Sequence, residues 1–252
     1  MTALPATARS VVVIMAKEPA AGRTKTRLSP PLSASGAARL YEALLSDTIG
    51  LVSCVRGVRL ALAMTPASAI EAWRPWLPAD ALLLPVDGAT VGVCLSEVTG
   101  RLFAAGFSRV IALNSDGPTL PASCIEQADA LLERTDVVLG PSEDGGYYLI
   151  GLRNPGPDVF RDIAWSTAHV MAQTLERVAG LERSVAVLAP WYDIDTAADL
   201  ERLRVELVRL PADALPWTRR FFAGSGSAMA SARKASRVPA KLTGSRQEEI
   251  SR

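Results

Sequence analysis

Four cationic side chains, Lys17, Arg23, Lys25 and Arg27, follow directly on an apolar run in the stretch V-V-V-I-M-A-K-E-P-A-A-G-R-T-K-T-R-L, residues 11–28. The run Val11 to Met15, mostly β-branched, reads as a strand buried on both faces. Ligands of open α/β sheets sit beyond the carboxyl ends of the strands, where loop N–H groups and cationic side chains neutralise phosphate. The chemistry this stretch offers is therefore anion binding, with Pro19 and Gly22 shaping the turn. Its spacing matches neither the phosphate loop G-x-x-x-x-G-K-[ST] nor the dinucleotide fingerprint G-x-G-x-x-G. Nucleotide-sugar and nucleotidyl-transfer folds, which use a looser loop in the same place, remain.

Carboxylates recur at equivalent positions. Asp116 in N-S-D-G-P-T-L follows the apolar run Val110 to Leu113, and Asp193 and Asp195 in Y-D-I-D-T also lie between a strand and a helix. Mg²⁺ or Mn²⁺ bridging phosphate oxygens needs only one or two such carboxylates. Each segment also has a plain structural reading: Asp-Gly and Gly-Pro are common turn pairs, and Asp195 or Thr196 suits a helix N-cap. Agreement of two acidic segments with a basic loop at one sheet edge favours a metal–diphosphate site. A third segment, E-D-G-G-Y-Y-L-I-G-L, offers paired glycines (Gly145, Gly146) for close backbone approach, with Asp144 and Tyr147 placed to contact a sugar or other acceptor. A tight turn between two strands accounts for the same residues.

The elements that must position these groups alternate regularly. Apolar spacing predicts helices over 33–55, 67–76, 91–105 and 121–134, from Trp165-Ser166-Thr167 to about Val178, and from Asp195-Thr196 to about Val208. Strands are expected at 58–64, 82–85, 110–113, 137–139, 147–152 and 185–188. The alternation predicts a mostly parallel, Rossmann-like sheet with helices on both faces. From Pro211 the pattern fails, so residues 1–222 are expected to form one domain and residues 223–252, Ser/Ala/Gly-rich and then basic, a disordered tail. Trp73 and Trp76 are expected to pack in or around the core, and His169 to lie on the surface or near a cap.

The chain has 252 residues, about half of them apolar, and a net charge of +1. That balance lacks the basic footprint of a dedicated nucleic-acid binder. No run approaches the ~18 apolar residues of a membrane span, and Met1 to Ser10 has no apolar signal-peptide core. Cys54, Cys94 and Cys124 follow no metal-ligand spacing; reduced thiols and a cytoplasmic location are expected. Oligomeric state is not readable.

With these motifs assembled, the chain resembles a bacterial family of GT-A-type proteins, the radical-SAM/selenodomain-associated transferases, some of them called arsenosugar-biosynthesis glycosyltransferases. The resemblance rests on A-K-E-P-A-A-G-R-T-K-T-R-L, S-D-G-P-T-L, G-P-S-E-D-G-G-Y-Y-L-I-G-L, W-S-T and D-I-D-T-x-x-D-L, and spans about residues 11–207. More distantly, the chain is similar to phospholactate and phosphoenolpyruvate guanylyltransferases. The resemblance implies a GT-A (nucleotide-diphospho-sugar transferase) fold, with Ala16, Lys17, Gly22, Lys25, Arg27 and Ser115 around a nucleotide. It makes Asp116 the metal-binding acid with Asp193 or Asp195 as partner, and puts Asp144 to Tyr147 on the acceptor side. Asp116, Asp144 and Lys25 are then the candidate catalytic groups, Asp144 as base on an acceptor hydroxyl. One segment departs: where the family has G-x-D-L-G-x-R-M, this chain has G-A-T-V-G-V-C-L, so Thr90 replaces an acid and Cys94 an arginine. Asn114 stands where the family often has Gly. Three functions follow. The first is sugar transfer from a nucleotide-diphospho-sugar to a small acceptor. The second is nucleotidyl transfer to a small phosphorylated acid, and the third is nucleotide binding without turnover.

Overall fold

The computed structural model describes residues 9–224. A seven-stranded sheet forms its centre, in the order β3-β2-β1-β4-β6-β5-β7. The strands are β1 (Ser10–Lys17), β2 (Val58–Thr65), β3 (Leu82–Pro85), β4 (Arg109–Leu113), β5 (Val137–Pro141), β6 (Tyr147–Leu152) and β7 (Val185–Val187). All pairings are parallel except those of β6, which runs antiparallel to β4 and β5. The expected strands are all present, and the sheet is mostly parallel as the alternation requires.

The helices are α1 (Ala34–Cys54), α2 (Val91–Ala104), α3 (Ala122–Leu131), α4 (Val170–Gly180), α5 (Ala197–Arg209) and α6 (Pro216–Phe222). They cover both faces, and β1 divides its side chains between them. Val12 and Ile14 join Leu45, Ile49, Ile125 and Trp73 on one side, while Val11 and Val13 join Leu95, Val98, Leu102 and Phe160 on the other. This follows from the two-residue period of a strand. A third cluster, outside the sheet, unites Leu28, Leu40, Leu44, Tyr192, Ile194, Leu200 and Leu203.

One expected helix takes a different form. Residues 67–76 form a 3₁₀ segment rather than an α-helix; Pro75 has no N–H to give an i−4 carbonyl and its ring crowds that turn. Beyond Pro211, α6 packs on α1, and its Trp217 meets Trp76 of the 67–76 segment edge-on, with ring centroids 4.8 Å apart. Trp73 is buried in the core and Trp76 is packed against it. The expected tail falls at residues 223–252, of which 225–252 lie outside the described residues. His169 is exposed at the N-cap of α4. Cys54, Cys94 and Cys124 are free thiols. Among the described residues no helix is long and apolar enough to cross a membrane.

Candidate active site

A cavity of about 750 Å³ opens where β1, β2 and β4 end and the antiparallel β6 begins. Ala16, Lys17, Lys25, Arg27, Ser115, Asp116, Tyr147 and Asp195, all expected from the sequence, line it, as does Arg23. The sheet edge thus unites the basic loop with two of the three expected metal-binding carboxylates.

The loop that follows β1 is held by its own backbone and by a buried anchor. Glu18 N–H donates to the Thr65 carbonyl at 2.8 Å, and Arg23 and Thr24 N–H groups both donate to the Ala20 carbonyl at 3.1 Å. The Thr24 hydroxyl donates to the Glu18 carbonyl at 2.7 Å. Gly22 takes a left-handed conformation, φ 75°, which glycine reaches without strain. Lys25 adopts φ 53° without that freedom. Leu28, fully buried in the third cluster, pins the far end of the loop. Gly22 itself is exposed and does not line the cavity; it shapes the turn rather than presenting backbone to a ligand.

Lys25 is the centre of the site's electrostatics. Its side chain is 5% exposed, forms an ion pair with Asp116 Oδ2, and lies 3.4 Å from Asp195 Oδ1. Arg27 Nη1 lies 3.0 Å from Asp195 Oδ2. Burial pulls the Lys25 ammonium down, but the charge and hydrogen bond of Asp116, with Asp195 beyond, outweigh it and hold the pKa above the ordinary lysine value.

Asp193 sits behind this pair and does not line the cavity. Its Oδ1 accepts from Asn114 Nδ2 and its Oδ2 from the Ser142 hydroxyl, so both oxygens are committed to tying the ends of β4 and β5 together. Burial, and then the negative charge of Asp116, push its carboxyl up to about 7. The Y-D-I-D segment is brought here by Ile194 N–H donating to the Asp116 carbonyl at 3.2 Å and Trp191 N–H to the Pro141 carbonyl at 3.0 Å. Thr196, rather than Asp195, caps α5 in a capping box with Asp199, leaving the Asp195 side chain to the cavity.

The E-D-G-G-Y turn behaves differently from expectation. Asp144, Gly145 and Gly146 do not line the cavity. Asp144 is exposed, and its Oδ1 accepts from Gly146 N–H at 3.0 Å. Gly145, at φ 88°, leaves no room for a side chain: a Cβ there would stand 2.3 Å from the Ala168 carbonyl oxygen. The turn braces the segment before α4, to which Gly145 is joined by Met171 N–H donating to its carbonyl at 2.9 Å. Of the residues expected on the acceptor side, Asp144 to Tyr147, only Tyr147 reaches the cavity.

Other lining residues were given no site role from the sequence, and Tyr41 had no signal in it at all. Tyr41 of α1 accepts from Lys17 N–H at 3.0 Å and shares a hydrogen bond of 2.7 Å with the Ser115 hydroxyl, tying the ends of β1 and β4 under the cavity floor. Trp165 meets Tyr147 edge-on, ring centroids 6.3 Å apart, and lies so close to α2 that a Cβ on Gly92 would stand 2.3 Å from its Nε1. The segment that departs from the resembling family is cavity wall. Thr90 caps α2 by accepting from Val93 N–H at 3.3 Å, and the buried Cys94 thiol lies 3.6 Å from the Gly88 carbonyl. With Val86, Val91 and Leu95 they make this wall uncharged.

Comparison with known proteins follows the same outline. The model of a family described as "Uncharacterized protein conserved in bacteria (DUF2064)" matches residues 49–167. The crystal structure of a provisionally assigned nucleotide-diphospho-sugar transferase from Desulfovibrio desulfuricans G20 superposes with a TM-score of 0.79 at 28% identity, over 89% of this chain and 98% of that one. The chain has the nucleotide-diphospho-sugar transferase fold. A 4-diphosphocytidyl-2C-methyl-D-erythritol synthase from Anaerococcus prevotii matches with a TM-score of 0.54 at 10% identity, over 80% of this chain and 97% of that one. Rv0371c from Mycobacterium tuberculosis matches at 0.51 and 18% identity, over 78% and 98%. These two share the fold alone. No curated protein matches.

Asp116 has one carboxylate oxygen outside the Lys25 pair, and Asp195 lies across the same ammonium; two carboxylates, with oxygens from a bound phosphate, suit Mg²⁺ or Mn²⁺. Among the described residues no three His, Cys, Asp or Glu side chains converge to hold a metal unaided. The set fits a cation that arrives with a phosphate ligand.

Proposed function

We propose that this protein is a metal-dependent transferase that uses a nucleotide-activated donor and moves a sugar from a nucleotide-diphospho-sugar to a small acceptor. The observation that carries the reading is the single cavity in which Lys17, Lys25 and Arg27 face Asp116 and Asp195. Likeness to the Desulfovibrio protein over nearly the whole chain supports sugar transfer in particular, and so does the motif resemblance to the radical-SAM/selenodomain-associated transferases. Lys17, Lys25 and Arg27 would hold the diphosphate, and Asp116 and Asp195 would hold Mg²⁺ or Mn²⁺. The bound cation supplies charge neutralisation for the departing diphosphate. Preorganised cations around that leaving group cost no reorganisation when its charge develops. Tyr147 and Trp165 give the acceptor an aromatic, uncharged wall. Asp144, exposed in its turn, has no place in this arrangement as base. A cytoplasmic setting, where nucleotide-sugars are made, accords with three free thiols.

The test is a thermal-shift screen of nucleoside diphosphates, triphosphates and nucleotide-sugars with and without Mg²⁺ or Mn²⁺, since a ligand bound to the native state raises the melting temperature. A metal-dependent shift with one nucleotide-sugar and its diphosphate is the expected result. A shift confined to a triphosphate replaces the reading with nucleotidyl transfer. No shift with any of them overturns nucleotide use altogether.

A further inference from the structure

We infer that Lys25 is an internal counter-ion that excludes free divalent metal from the Asp116–Asp195 pair and is exchanged for it when a diphosphate arrives. The inference rests on the proposed function for the identity of the incoming anion, but not for the exchange itself.

In a cavity open to solvent, a phosphate-binding lysine would be expected to reach outward. Lys25 does the reverse. Its side chain is 5% exposed and turned in between Asp116 Oδ2 and Asp195 Oδ1. The backbone enforces this: φ 53° and ψ 41° place Lys25 in the left-handed region, uncommon for a non-glycine residue. The fixed turn before it and the buried Leu28 after it hold that conformation. Arg27 covers the outer oxygen of Asp195. The Asp116 and Asp195 charges are thus already balanced by Lys25 and Arg27.

A divalent cation entering alone would bring two further positive charges against an ammonium that, at 5% exposure, solvent screens poorly. A cation entering with a diphosphate meets a different balance. The phosphate oxygens give the Lys25 ammonium a new partner of equal strength, and Asp116 and Asp195 are released to the metal. Metal and diphosphate should therefore bind synergistically, each weak without the other. By linkage the coupling is reciprocal. Lys25 in this role is a positioning residue that sets the order in which the site fills.

The experiment measures Mn²⁺ binding to the full chain by electron paramagnetic resonance, without and with a nucleoside diphosphate. For the wild type, weak binding of Mn²⁺ alone and tightening by about tenfold or more with the diphosphate are expected. Lys25→Met is expected to bind Mn²⁺ alone about tenfold more tightly than the wild type and to lose the synergy. Lys25→Arg, which keeps the charge, should stay close to the wild type. An affinity for Mn²⁺ alone that is the same in Lys25→Met as in the wild type overturns the inference. If no diphosphate affects the wild type but Lys25→Met gains Mn²⁺ affinity, the exchange stands and the proposed function fails. Should Lys25→Met not fold, cyanate labelling of the wild type decides. Saturating Mn²⁺ should raise carbamylation of Lys25 several-fold, mapped by mass spectrometry, and no rise overturns the inference.

Discussion

Asp116 does two things through one carboxylate: it faces the cavity and it neutralises the buried Lys25. Asp116→Ala should therefore abolish any metal-dependent thermal shift with nucleotides. Because removing one partner of a buried pair strands the other, it should also lower unfolding stability by ~3–5 kcal/mol, measured by urea denaturation. Gly92→Ala tests the opposite wall. Its Cβ would meet the Trp165 indole at 2.3 Å, so Trp165 must swing out, at ~1–3 kcal/mol. Tryptophan fluorescence should report the move, and affinity for the acceptor should fall more than affinity for the diphosphate. Lys25, Arg27 and Asp116 were legible in the sequence because a basic loop and an acidic segment each follow a buried strand, where an open α/β sheet holds its ligand. Tyr41 was not, since it shares the helical spacing of Leu40 and Leu44 and so reads as core. Asp144 misled for a physical reason: an acidic residue beside two glycines is as useful for capping a turn N–H as for catalysis, and here it caps Gly146.

At the scale of elements, α6 depends on a carboxylate from another helix. Asp47 of α1 accepts from Trp217 N–H at 3.1 Å and Thr218 N–H at 2.8 Å, satisfying two donors of the first turn. Burial raises the Asp47 pKa above the ordinary 3.8, although the Thr218 and Trp217 bonds and Arg220 oppose it. The folded state thus holds this proton more tightly than the unfolded state. Its contribution is fully present below the unfolded pKa and is lost as pH rises above 3.8 through the folded value. Asp47→Asn should remove that part of the pH slope between acid and neutral solution, measured by urea unfolding at several pH values. Asp47→Ala should cost ~1–3 kcal/mol by leaving two N–H groups unpaired, that of Thr218 buried. The alternation of strands and helices was legible because each element has a clear period, and Ser33, Thr90 and Thr196 mark three helix starts. α6 was not legible: seven residues are too few to show a period, and its cap lies 170 residues upstream in the chain.

For the whole molecule, the site depends on a packing layer remote from the sheet. Leu28 ends the basic loop inside the third cluster, where Leu200, Leu203 and Leu207 of α5 meet it and Leu215, Phe221 and Phe222 pack from outside. Arg219 of α6 donates to the carbonyls of Leu207, Leu210, Pro211 and Ala214, closing the end of α5. We propose that the folding unit runs through α6, as the expected domain of residues 1–222 requires, and two truncations test it. A chain ending at Gly224 should keep both the melting temperature and the nucleotide-induced shift of the full chain. A chain ending at Leu210 loses α6, uncovers Trp76, and strips Asp47 of its partners. The lost aromatic contact and hydrogen bonds should cost on the order of 3 kcal/mol, a fall of about 6–12 °C in melting temperature for a domain of this size. The nucleotide response separates this from a general loosening. If the third cluster holds Leu28 and Leu28 holds the loop, the shorter chain should bind the diphosphate more weakly even at temperatures where it is fully folded. Unchanged affinity there would show that the loop is set by its own hydrogen bonds to Ala20 and Thr65, with no help from α5 and α6.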